Sequence, residues 1–251
     1  MKKTWISTAH RGFVGDEHMQ PNTLSAFVLA AKKGADMIET DARTTSDGVI
    51  IVNHDPVVQG LDKHGNLVEY EVSKTPASIV TSLILASDDK AGVQYVPTLA
   101  SVLEICYFTG MMANIDLKEG SLHALDVARL VQNYGMRGRT VYATNGSGAA
   151  CINGILAIDP EARFIDRPEN YTDEKLKAVP GYQSKCYAYT EDFSDENILK
   201  IRASGCKLAT ITLNSGNVFE AFRHHPDMAE YPHTSDFEAL DAAVLKRYNE
   251  A

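Results

Sequence analysis

The sequence predicts an α/β protein built as a (β/α)8 TIM-like barrel. Three observations carry that reading. Short apolar runs of strand character alternate with helix-spaced apolar residues through most of the chain, as parallel strands joined by helices require. About nine such runs fall within 251 residues, and eight of them would close a barrel of ordinary length, leaving one as a hairpin partner. An open doubly wound sheet would carry Gly-x-Gly-x-x-Gly after its first strand, where this chain has His10-Arg11-Gly12. Residues 1–251 therefore read as one domain, with residues 56–96 as a small insertion within it.

The first strand covers residues 4–9 and ends at His10-Arg11-Gly12. After a polar loop, Leu24, Phe27, Val28 and Ala31 recur at helical spacing, and Gly34 stops that helix behind Lys32-Lys33. Residues 37–55 hold two apolar runs joined by the turn Ser46-Asp47-Gly48. The insertion breaks the rhythm with turn signals at Gly60, Lys63-His64-Gly65-Asn66 and Thr75-Pro76 around one apolar segment, 79–86. Pro97 reads as the opening of a helix with Leu99, Val102, Leu103 and Cys106 on one side. A strand over 111–117 and a helix over 122–134 come next. The unit then repeats as 141–143 with 149–157, 163–165 with 173–179, 186–189 with 195–203, and 207–213 with 218–223. A short run at 228–231 precedes a helix at 237–248.

Composition narrows the function. The chain is 44% hydrophobic and 23% charged, ordinary for a globular protein. Its 24 Lys and Arg face 33 Asp and Glu, a net charge of −9, so no nucleic-acid partner is expected, because wrapping phosphates needs a basic face. An anionic substrate must be attracted locally, by a metal or a few placed cations. Cys106, Cys151, Cys186 and Cys206 form no Cys-x-x-Cys, which argues for reduced core thiols of a cytoplasmic protein. No apolar run approaches the ~20 residues of a membrane span. The run after Met1-Lys2-Lys3 is too short for a signal peptide. The expected location is the cytoplasm, and no feature fixes an oligomeric state.

In a parallel barrel the C-terminal ends of the strands open on one face, where such enzymes work. Polar residues collect at those ends here. Glu39 and Asp41 stand two apart, so on a strand both leave the same face, and like charges so placed repel unless a cation lies between them. Asp116 and Lys118 repeat the spacing, while His10, Arg11 and His54 close other runs. Three carboxylates offer hard oxygen ligands suited to Mg2+ or Ca2+ rather than Zn2+. Two histidines can act as acid and base, and Arg11 and Lys118 supply the positive charge that a phosphoryl transition state needs. The combination points to phosphodiester cleavage.

In order, His10-Arg11-Gly12, Pro21-Asn22-Thr23-Leu24, Ile38-Glu39-Thr40-Asp41, Asp47-Gly48, His54-Asp55 and Val96-Pro97-Thr98-Leu99 closely resemble the glycerophosphodiester phosphodiesterase family. The resemblance is dense over residues 5–55 and 96–118 and elsewhere rests on strand pattern. It implies a TIM-like barrel with a small insertion. It further implies one divalent cation, Mg2+ or Ca2+ with Mn2+ as a further option, at Glu39, Asp41 and Asp116. His10 and His54 would be the acid–base pair, and Arg11, Lys118 and Asn22 would contact a small-molecule glycerophosphodiester. By the family's mechanism a glycerol hydroxyl attacks phosphorus and the alcohol leaves. Water then opens a cyclic phosphate to glycerol 3-phosphate.

Several places depart from the family pattern. The family's Pro-Glu-Asn-Thr lacks its Glu at Pro21-Asn22-Thr23, and its Trp-Thr-Val-Asn stands as Ile211-Thr212-Leu213-Asn214. Its closing Thr-Asp-x-Pro becomes Ala229-Glu230-Tyr231-Pro232. The usual Glu of the third metal position is Asp116, one methylene shorter. An Asp-x-Lys at that place also occurs in sphingomyelinase D-type phospholipases, so a lyase that stops at the cyclic phosphate is the alternative enzyme reading. A barrel that binds a phosphate-bearing ligand without turnover is the non-enzymatic one. Asn145-Gly146-Ser147-Gly148 lacks the ending of a P-loop and reads as a βα turn. His224-His225 reads as a helix end, and no Gly-x-Ser-x-Gly supports serine hydrolysis.

Overall fold

The structure is a computed structural model that describes residues 3–15, 19–88, 92–144, 146–167, 170, 175, 178–210, 213, 216–232 and 237–250. The first half contains β1 (Ile6–His10), α1 (Leu24–Lys32), β2 (Met37–Thr44) and β3 (Ile50–Val52). The insertion adds β4 (Val57–Leu61), β5 (Leu67–Glu71), α2 (Ala77–Val80), β6 (Ile84–Asp88) and β7 (Gly92–Tyr95). Then come α3 (Leu99–Thr109), β8 (Met112–Leu117), α4 (Ala124–Asn133), β9 (Thr140–Ala143), α5 (Ala149–Ile158) and β10 (Arg163–Asp166). The remainder holds α6 (Tyr182–Lys185), β11 (Cys186–Thr190), α7 (Asp195–Ala203), β12 (Lys207–Thr210), α8 (Val218–Phe222), β13 (Met228–Tyr231) and α9 (Phe237–Glu250).

Eight strands pair in the order β1-β13-β12-β11-β10-β9-β8-β2, and β1 pairs again with β2. That closes a parallel ring, a TIM-like (β/α)8 barrel. The ninth strand of the sheet, β3, lies outside the ring as the antiparallel hairpin partner of β2. Strands β5-β4-β6-β7 make a separate four-stranded sheet from residues 57–95, with its own core of Val58, Val72, Val80, Leu83 and Val96 around Ile51.

Period-two alternation sorts the side chains of the ring into two layers. On β2, Met37 joins the cluster inside the barrel while Ile38 and Ala42 join the larger core under the helices. The inward parity of Met37 is also that of Glu39 and Asp41. On β8, Ala113, Ile115 and Leu117 face the helices, which turns Asn114 and Asp116 inward. The floor of the barrel is sealed by Met37, Val141, Ile165, Tyr187, Ala209 and Met228. The carboxylates stand above this apolar layer, while Arg163 and Lys207 border it from below, Lys207 Nζ lying over the Tyr187 ring.

The ends of the chain are locked together beneath this floor. Asp241 of α9 is buried and accepts hydrogen bonds from Trp5 Nε1 at 2.9 Å, Tyr231 Oη at 2.6 Å and the Ser7 hydroxyl, with Lys3 Nζ 2.9 Å away. A carboxylate with four donors is a strong buried anchor, because each bond is charge-assisted.

Element positions agree with the sequence to within a few residues, with one change of role. Pro97 does not open a helix. Thr98 is the N-cap of α3, its hydroxyl accepting from Ser101 N, while the Pro97 carbonyl accepts from Val52 N at 2.9 Å and ties β3 to the insertion's exit. The helix expected at 173–179 and the Ile211-Thr212-Leu213-Asn214 stretch lie largely outside the described residues.

Gly12 shows how tightly the first βα loop is folded. Its φ is +88°, and a Cβ there would stand 2.8 Å from the backbone of Ala26 in α1. Gly12→Ala is expected to destabilise the fold by about 1–3 kcal/mol, through overpacking and a left-handed φ. A urea midpoint equal to that of the parent would show that α1 can withdraw from the loop.

Candidate active site

One cavity of about 410 Å³ opens at the C-terminal mouth of the ring, lined by His10, Arg11, Glu39, Asp41, Asn114, Asp116, Lys118, Asp166, Arg167, Asn170, Tyr189 and Glu230 among others. Parallel register builds its acidic wall. Glu39 pairs with Asn114 and Asp41 with Asp116 across β2 and β8, so the carboxylates of two strands lie side by side. Ligand oxygens of Glu39, Asp41 and Asp116 all fall within 4.8 Å of one another. The short third leg therefore reaches its neighbours.

Cations hold this wall together. Lys118 Nζ lies 2.9 Å from Asp41 Oδ1 and 2.6 Å from Asp116 Oδ2, and Arg11 Nε lies 3.2 Å from Asp41 Oδ2. Burial works against the Asp41 anion, but Lys118, Asn22 and Arg11 outweigh it and keep its pKa below the usual carboxylate value. Glu39 goes the other way. Burial, then the charges of Asp41, Glu230 and Asp116, push its pKa well up. Without a further positive charge, the cluster favours a proton on Glu39.

Arg11 is held in place by backbone strain. Its φ is +56° and that of Asn22 is +61°, conformations costing about 1–3 kcal/mol each for residues other than glycine. Arg11 N donates to both the backbone and the side chain of Glu39 at 3.1 Å, and Asn22 N donates to Arg11 O at 2.9 Å. The Asn22 amide donates to Asp41 Oδ2 at 2.6 Å. Asn22 thus stands behind the cavity and orients Asp41; it is not a lining residue, which differs from the substrate contact expected of it.

His10 lines the cavity with Nε2 3.7 Å from Glu39 Oε2. His54 is placed differently. β3 returns antiparallel to β2, and Asn53 N donates to Asp41 O at 3.0 Å, which brings the chain back to the level of the mouth. Arg43, paired with Glu119, donates from Nε and Nη2 to His54 O and braces that loop. The His54 side chain is 43% exposed, 2.9 Å from Asp55, and is not among the residues lining the cavity. His54 thus stands on a strand outside the ring, whereas His10 ends a strand of the ring itself.

The sequence reading also missed half the cavity. Glu230 of β13 is buried on the inner face, accepts from Tyr189 Oη at 2.6 Å, and has its pKa raised to about 7 by burial and the nearby Asp116 and Asp41 charges, against the Tyr189 hydrogen bond. Asp166 ends β10 as Asp116 stands near the end of β8, and Arg167 follows it. The strand-end rule applied to all eight strands would have found both.

Comparison with known proteins gives this geometry a context. Residues 10–142, more than half of the chain, match the model of the "Glycerophosphoryl diester phosphodiesterase family". A glycerophosphodiester phosphodiesterase of Bacillus subtilis is 24% identical over 255 residues, spanning 89% of this chain and 84% of the relative. The crystal structure of a glycerophosphodiester phosphodiesterase from Agrobacterium tumefaciens superposes with a TM-score of 0.72 at 23% identity, covering 96% of this chain and all of that one. A phosphodiesterase from Oleispira antarctica, solved with its product sn-glycerol-3-phosphate, gives 0.70 at 19% identity over 95% of this chain and 96% of that one.

Glu230 makes stability depend on pH. Between its ordinary 4.5 and about 7 the unfolded chain ionises this group and the folded chain does not, so stability falls as pH rises through that window. Glu230→Gln keeps an acceptor for Tyr189 and removes the effect. In chelator, the variant's advantage in urea unfolding is expected to be absent below pH 4.5 and to plateau above about 7, on the order of 3 kcal/mol. An advantage that does not change with pH would contradict the raised pKa.

Proposed function

The chain belongs to the glycerophosphoryl diester phosphodiesterase family, and we propose that it cleaves small glycerophosphodiesters with one divalent cation, giving glycerol 3-phosphate and an alcohol. The observation that carries this reading is the carboxylate cluster at the mouth of the barrel, flanked by Arg11, Lys118 and His10. Glu39, Asp41 and Asp116 are all-oxygen donors, the chemistry Mg2+, Ca2+ or Mn2+ takes. The upward push that burial and like charges give the Glu39 pKa marks the place where a positive charge is wanted. When bound there, the ion would neutralise charge on the phosphoryl oxygens and help to activate the attacking hydroxyl.

The chain's own residues do the rest. Arg11 and Lys118 are positioned to take the negative charge that builds on the non-bridging oxygens. His10 is the base on the cavity wall and accepts the proton of the glycerol hydroxyl as its oxygen attacks phosphorus. The bond to the alcohol oxygen breaks, and His54, at the level of the mouth on its braced loop, returns a proton to the leaving group. Water then opens the cyclic phosphate. A lyase outcome would omit this last step and is separated by phosphorus NMR of the product.

The decisive assay follows release of glycerol 3-phosphate from glycerophosphocholine, glycerophosphoethanolamine and glycerophosphoglycerol with each cation. Chelation and Glu39→Ala or Asp116→Ala are expected to cut kcat/KM by about a hundredfold or more, as is His10→Ala. Full turnover in excess chelator would remove the metal from the reading. His54→Ala with parental kcat would remove the second histidine from it.

A further inference from the structure

The wall of the cavity opposite His10 and Arg11 has no part in the chemistry above. β10 stands four strands from β1 in either direction round the closed ring, so the residues at the two strand ends face each other across the mouth. The alternation that puts Ile165 among the inner residues and Phe164 under the helices turns Asp166 toward the helix layer. Asp166 is accordingly consumed there. Its side chain is 1% exposed, Lys175 Nζ lies 2.6 Å from Oδ2, Asn170 Nδ2 donates at 2.6 Å, Arg167 N at 3.0 Å and Tyr182 Oη at 3.3 Å. This buried ion pair spends the carboxylate's charge. Among the described residues after β10, Arg167 and Asn170 line the cavity. Among the described residues the Arg167 side chain forms no ion pair; its hydrogen bonds are made by its backbone, the N–H donating to Asp166 and the carbonyl accepting from Asn170 N.

Resting on the phosphodiesterase reading, we propose that the β10 wall is the subsite for the leaving alcohol, and that Arg167 selects alcohols carrying an acidic group over those carrying an ammonium. A cavity of about 410 Å³ falls in the range that holds a ligand of several functional groups, so there is room for both arms of a diester. With phosphorus at the β1–β2–β8 wall, one arm must cross the mouth. The Glu230–Tyr189 pair supplies an acceptor and a hydroxyl of the kind a glycerol hydroxyl uses, which leaves the β10 wall to the alcohol. A guanidinium binds carboxylate or phosphate in a planar, bidentate way and repels a quaternary ammonium. This preference is local, since the chain's net charge of −9 opposes it.

The test uses three diesters differing in the alcohol: glycerophosphocholine, glycerophosphoglycerol and glycerophosphoglycerol bearing a terminal phosphate. With the active cation supplied, kcat/KM is expected to rise in that order, about fivefold or more between the ends and mainly through KM. Arg167→Gln is expected to flatten the ratio and Arg167→Glu to reverse it, with unfolding midpoints confirming that both variants fold. A choline preference in the parent, or a ratio unchanged in both variants, overturns the subsite while leaving the phosphodiesterase intact. Cleavage of none of the three with Mg2+, Ca2+ or Mn2+ overturns both.

Discussion

The structure depends on a repulsion. β2 and β8 are neighbours in a parallel ring, and their register sets Asp41 beside Asp116 with Glu39 one pleat below. Such a cluster is unstable on its own terms, since buried like charges cannot all ionise without compensation. Much of the mouth reads as an answer to it. Lys118 bridges two of the carboxylates, Arg11 leans on Asp41, the Asn22 amide fixes the oxygen that Arg11 faces, and Glu39 is driven toward its neutral form. The left-handed backbones of Arg11 and Asn22 are part of the same arrangement. Conformations that cost free energy persist where surrounding hydrogen bonds determine them, and here the bonds run from Arg11 to Glu39 and from Asn22 to Arg11.

The barrel separates stability from chemistry along its axis. Below the carboxylates the interior is closed by Met37, Val141, Ile165, Tyr187, Ala209 and Met228. Apolar packing there lowers the dielectric beneath the site, which strengthens the charge interactions above it. The helices contribute through the outer face of the same strands. One residue's shift in the register of β2 would bury Met37 under the helices and turn Ile38 into the mouth.

Much of this was legible in the sequence, for physical reasons. Alternating strands and helices announced the barrel, and the spare hairpin strand β3 was visible as a ninth run. Glu39 and Asp41, and Asp116 and Lys118, were readable because period two is a property of the strand itself. Two placements were not readable, and a third was missed. The side chain of His54 depends on where an antiparallel strand outside the ring returns the chain, which spacing does not encode. For Asn22 the resemblance implies a substrate contact, while its backbone is left-handed and its amide donates to Asp41. Glu230 was open to the strand-end rule, since it stands near the end of the short run Met228–Tyr231 that pairs on both sides as β13.

The closure of the ring has a consequence for how the protein is made. β1 finds its second neighbour only in β13, and the floor beneath it is fastened by Asp241 of α9 to Trp5 and Tyr231. A ribosome thus releases every carboxylate of the cluster long before the strand that completes the wall around them. During that interval the nascent chain exposes an unpaired edge on β1 and an acidic cluster with no enclosing barrel. The emergence of β13 and α9, rather than that of the carboxylates, sets the moment at which the cavity first exists.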